Sequence, residues 1–77
     1  MPNTTPYPSK ETVQNLREAY PEGCRVRLDR MDDTQAPPIG TCGTVSHVDG
    51  IGTIHVHWDN GSGLGVVYGE DQCTKIE

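Results

Sequence analysis

The sequence predicts a mainly β domain: a small, five-stranded, partly open barrel preceded by a short α-helix. Residues 36–67 hold three short β-patterned runs separated by glycine-based turns, the pattern of a strongly bent antiparallel sheet. Just upstream, residues 24–29 alternate strictly, with Cys24, Val26 and Leu28 on one side and Arg25, Arg27 and Asp29 on the other, as half-buried strands do. The apolar residues are mostly β-branched, with seven Val and four Ile against three Leu and no Phe. Such a set suits short strands better than a helical bundle.

Residues 1–8 carry three prolines and read as an extended lead-in. Ser9 can cap a helix over 9–20, with Glu11 in the first turn where the helix dipole favours an acid. Val13, Leu16 and Tyr20 recur at helical spacing with Ala19 expected beside them, so the helix should be one-faced and in need of a partner surface. Pro21 and Gly23 end it, and the barrel domain is expected over 21–77. The loop 30–40, RMDDTQAPPIG, is too polar and broken for a regular element. Loops of that length inside small domains often bind something.

A second strand over 43–48 and a third over 53–58 flank the turn at Asp49-Gly50-Ile51-Gly52. On the third, Ile54, Val56 and Trp58 share the core face, and His55 and His57 lie opposite. Asn60-Gly61 suggests a type I′ hairpin into a fourth strand over 64–67, weakened by Gly63 and Gly65. A tight turn at 68–71 then leads to a fifth strand over 73–76. Five short strands, one long loop and a turn before the last strand describe an SH3-like barrel.

Seventy-seven residues make one domain, near the lower limit for a single core. Six Lys and Arg against eleven Asp and Glu give a formal charge of −5, a poor balance for binding phosphate backbones. Arg25, Arg27 and Arg30 cluster but alternate with Asp29, Asp32 and Asp33, which reads as a self-neutralising surface. Neither a membrane-spanning run nor a signal-type hydrophobic stretch is expected. Three cysteines, an odd number, argue against a full disulfide framework. A cytoplasmic protein with reduced thiols is the expectation.

The run GCRVRLDRMDD from Gly23, QAPP from Gln35, GTCGTV from Gly40, WDNGS from Trp58 and GED from Gly69 resemble the bacterial and phage family catalogued as domain of unknown function 4314. The resemblance covers residues 20–76, with the helix outside its firmest part. It implies a small SH3-like domain of bacteria, phages and mobile elements, and carries no activity with it. Cys42 and Cys73 stand where a polar and an aromatic residue would be expected.

Chemistry finds little footing. The cysteines are separated by 17 and 30 intervening residues with no CxxC, so neither their spacing nor His47, His55 and His57 spells a zinc site. Cys42 lies in a strand-entry turn with no helix N-terminus to activate it. The acid pairs Asp32/Asp33 and Glu70/Asp71 lack the ligand alternation of a calcium loop. The expectation is therefore a non-enzymatic protein-interaction module without metal or cofactor. Its partner-binding residues are expected to be Met31, Asp32, Asp33, Pro37, Trp58 and Tyr68, although Trp58 also fits the core stripe. Acids in the loop point to a basic or proline-containing partner. Homodimerisation through the helix is a further possibility. The alternatives are an acidic nucleic-acid-mimicking inhibitor and a weak nucleic-acid binder using Arg25, Arg27 and Arg30.

Overall fold

The computed structural model describes residues 7–77; most of the lead-in expected over 1–8 lies outside the described residues. One helix, α1 (Lys10–Ala19), precedes four strands: β1 (Arg25–Arg30), β2 (Cys42–Val48), β3 (Ile54–Trp58) and β4 (Gln72–Lys75). They form one antiparallel sheet in the order β3-β2-β1-β4. Among the described residues no helix is long and apolar enough to cross a membrane.

Ser9 caps α1 as expected: its Oγ accepts the Thr12 amide at 3.1 Å, offsetting one of the unpaired donors of the first turn. Val13 is buried in the common core, and Leu16 and Tyr20 pack against it. Ala19, expected on the same side, is exposed, because six residues on from Val13 the helix has turned away from that face. Two hydrogen bonds strap the helix to its own sheet. Arg17 Nε donates to the Val48 carbonyl at 3.1 Å, and the Tyr20 hydroxyl donates to the Cys73 carbonyl at 3.3 Å.

The alternating runs bury the side they should. Val26 and Leu28 from β1, Val45 from β2, and Ile54, Val56 and Trp58 from β3 form the core with Val66, Cys24 and Cys73. Each large apolar side chain taken from water stabilises by roughly 1.5–3 kcal/mol. Gly43 stands opposite both Val26 and Trp58 in the ladder. A Cβ built there would meet Val56 Cγ1 at 2.6 Å and Trp58 Cε3 at 2.9 Å. The missing side chain is what lets the indole lie across β2.

The expected fifth strand is present as β4, displaced by one residue from 73–76. The strand expected over 64–67 is not, so the sheet has four strands rather than five. That segment pairs backbone to backbone with β3 at a single isolated bridge, between Ile54 and Val66. The reason lies with Leu64. Its carbonyl accepts the Trp58 indole N–H at 2.8 Å and its amide donates to Ser62 Oγ, so its backbone is turned to side chains instead of a ladder.

The turn before it also differs from the expected type I′. Trp58 and Ser62 pair across three residues, with the Gly61 amide donating to the Trp58 carbonyl. Only Gly61 has positive φ, at 93°, and Asn60 does not. This is a type I turn closed by a left-handed bulge glycine, with Asn60 Oδ1 accepting the Ser62 amide. The Asp49–Thr53 hairpin repeats the solution, with Gly52 at φ 83°.

Replacing Gly43 by Ala should cost about 3 kcal/mol, since the strand must shift or the indole must leave its seat. Gly50→Ala, where a Cβ meets nothing within 4 Å, should change stability by less than about 0.5 kcal/mol. Urea unfolding of the two variants beside the parent measures the contrast.

Candidate functional site

β1 and β4 are antiparallel, with Leu28 opposite Cys73 and Arg30 opposite Gln72. The chain leaving β1 is therefore brought beside the chain entering β4. Between them opens a groove of about 600 Å³. Arg30, Met31, Asp32 and Asp33 form one wall; Val67, Glu70 and Asp71 form the other; Thr53, His55 and Leu64 line the floor. Both acid pairs face the same space. Four carboxylates against one guanidinium and one imidazole make the groove acidic.

Each wall is ordered by local hydrogen bonds. In the long loop, Asp33 Oδ1 accepts the Gln35 amide at 2.8 Å and the Asp33 carbonyl accepts the Ala36 amide. Thr41 donates from both its amide and its hydroxyl to the Pro38 carbonyl. On the other wall the Glu70 and Asp71 amides both donate to the Val67 carbonyl, and Asp71 Oδ2 accepts the Val67 amide. The tight turn expected over 68–71 is thus closed at both ends.

Of the six residues expected to bind a partner, Met31, Asp32 and Asp33 are brought together in this groove. Pro37 is buried beneath the loop and does not line it. Trp58 is 3% exposed and presents no surface to a partner; through its bond to Leu64 it holds the groove floor from below. Tyr68 is exposed but lines the neighbouring depressions rather than this one. Glu70, Asp71, Arg30 and His55 complete the groove and were not foreseen. For Glu70 and Asp71 the signal that was missing is the pairing of β1 with β4.

The arginine cluster is largely neutralised. Arg25 makes a two-point contact with Asp59, at 2.9 and 2.6 Å, and also donates to Thr44 Oγ1. Arg27 donates to Asp29 at 3.0 Å. Bonds from the Thr74 hydroxyl and Arg27 hold the Asp29 carboxyl below its usual range, and Arg25 does the same for Asp59.

His47 and His55 stack, with ring centroids 4.3 Å apart and planes within 7°. His57, opposite Thr44, is exposed. Asp49 joins this pair to the hairpin: Oδ2 meets His55 Nε2 at 2.8 Å, while Oδ1 accepts the Ile51 and Thr53 amides. Partial burial pushes the Asp49 carboxyl up, but these hydrogen bonds outweigh it and hold the acid below its usual range. Among the described residues no group of three or more His, Cys, Asp or Glu is placed to hold a metal ion.

Cys24 and Cys73 are free and buried, and Cys42 is half-buried near the Gly40 carbonyl. Burial raises both core thiols, Cys73 to about 11.

A helix-capped antiparallel sheet with an acidic groove between its longest loop and its last turn defines a small, mainly β domain. Within that class the chain belongs to the family described as Domain of unknown function (DUF4314), whose model matches residues 9–76. The match starts at the helix cap, so α1 is part of the family's domain and not an appendage, correcting the narrower span expected from sequence. No curated protein and no solved structure matches the chain.

An acid whose folded pKa is depressed contributes stability that is present above its unfolded pKa, near 3.9, and lost as pH falls through the folded value. Asp49→Ala should destabilise by about 2 kcal/mol at pH 7 through its lost hydrogen bonds. The gap from the parent should shrink as pH falls from about 5 toward 2; thermal melts across that window measure it. Under brief iodoacetamide treatment at pH 8, Cys42 should be alkylated well before Cys24 and Cys73, as peptide mass mapping would report.

Proposed function

We propose that this chain is a non-enzymatic, SH3-like interaction module that holds an extended basic segment of another protein in the groove between the 31–41 loop and the 67–71 turn. The observation that carries this reading is the convergence of Asp32, Asp33, Glu70 and Asp71 around the apolar Met31, Leu64 and Val67. A basic side chain gains charge pairing at such walls and its aliphatic stem gains contact with the floor. The SH3-like assignment is supported by the order of parts: a long loop after β1, two tight hairpins, and a one-turn element before the last strand. In that plan residues 62–66 take the place of the missing strand beside β3. Extended ligands often dock beside the long loop of such barrels. The free thiols suit a reducing compartment such as the cytoplasm.

Phosphate binding through Arg25, Arg27 and Arg30 finds less support, since the first two guanidiniums are already paired within the chain. A nucleic-acid mimic would be expected to spread its acids along an outer face, whereas four of the eleven acids line one groove.

Titrating the ¹⁵N-labelled chain with an Arg-Pro dodecapeptide should move the amide signals of residues 31–33 and 67–71. Binding should weaken about tenfold in Asp32→Asn/Asp33→Asn and fall with added salt. Signals that stay still with the peptide, or that move at Arg25 and Arg27 with an oligonucleotide instead, would overturn the assignment.

A further inference from the structure

Six large apolar side chains are notably exposed among the described residues, and four of them, Tyr7, Ile51, Val67 and Tyr68, line a single depression of about 380 Å³. Exposed apolar residues gathered at one place mark contact surfaces more often than scattered ones do. Ile51 reaches it from the tip of the Asp49–Thr53 hairpin, a position the turn itself does not require to be apolar. Val67 and Tyr68 reach it from the chain entering the last turn.

The depression is continuous with the acidic groove. Thr53, Val67, Gly69 and Glu70 line both. Val67 and Glu70 therefore stand on the border, one side chain apolar and the other charged. A ligand lying along the groove can pass over this border without leaving the surface.

We propose that the Ile51–Val67–Tyr68 depression is a second subsite of the same groove, which takes an aliphatic side chain of the bound segment close to its basic residues. The inference rests on the groove reading above and adds the sequence character of the partner: a basic, extended stretch interrupted by Leu, Ile, Val or Met. Charge complementarity selects this occupant. The border carries Glu70, with Asp71, Asp32 and Asp33 beyond it, so whatever covers the apolar part meets negative potential at its flank. A second copy of the chain, at net charge −5, would bring its own acids against these, and like charges facing each other oppose association.

The test is a series of fluorescein-labelled dodecapeptides of fixed Arg and Pro content, in which one Leu is walked along the chain and replaced by Ser in the controls. Fluorescence anisotropy reads the affinities. The expected result is a peak at one or two Leu positions, about tenfold tighter than the Ser control. Ile51→Ser and Ile51→Asn, each checked for folding by circular dichroism, should abolish that peak while the Ser control binds as before. Equal affinity at every Leu position, or a peak that survives both variants, overturns the subsite and leaves the groove reading standing. If neither Leu nor Ser peptides bind, the groove reading falls and this inference with it. Self-association of the parent in sedimentation, removed by Ile51→Ser, would assign the depression to a second copy and overturn the proposal.

Discussion

The seat of Trp58 on Gly43 is the constraint on which the rest of this small structure depends. The chain has one Trp and no Phe, so a single indole supplies most of the aromatic bulk available to the core. It fits only because β2 offers no side chain at the point where the ring crosses. The same ring then reaches beyond the sheet and ties down Leu64 through its N–H. One residue thereby joins three parts of the chain: the strand that carries it, the strand beneath it and the irregular segment beyond. In a domain with a thin core, such shared use of a large side chain compensates for the limited apolar area.

Charge is partitioned in a comparably economical way. Asp29, Asp49 and Asp59 are committed to internal donors, namely Thr74 and Arg27, His55 with two amides, and Arg25. These acids serve hairpins and strand pairs. Asp32 and Glu70 sit exposed on opposite walls of the groove, with Asp33 and Asp71 beside them. Much of the negative surplus of the chain is thus displayed at one place, which gives the domain a directional field despite its size. The arginines are complementary to this: two of the three in β1 are spent on structure, and the third stands at the groove.

Much of the scaffold was legible in the sequence because its signals are local. Strict alternation at Cys24, Val26 and Leu28, the stripe of Ile54, Val56 and Trp58, the Ser9 cap and the glycine turns each act within a few residues. What failed was nonlocal. The strand expected over 64–67 is undone by an indole six residues away that claims a carbonyl, and nothing in the residues around Leu64 announces that competitor. The type I′ turn at Asn60-Gly61 gave way to a bulge because Trp58, not Asp59, pairs with Ser62 across the hairpin. Half of the groove was hidden for a similar reason: Asp32 and Asp71 are neighbours across a groove only once β1 and β4 pair, nearly forty residues apart in the chain. Pro37 shows the opposite error, a loop residue taken for surface because loops usually are.

The two three-residue hairpins, 49–53 and 58–62, place their positive φ on the final glycine and their capping on a side chain two residues before the amide it accepts, Asp49 in one and Asn60 in the other. The tip residue of the first hairpin, Ile51, is left with no folding duty, yet it stands at the edge of the groove. That separation makes position 51 a point where natural variation can proceed without threatening the scaffold. On the binding reading proposed above, exchange of that one side chain would change which segment the surface takes while leaving the fold in place, so recognition could diverge without compensating changes in the core.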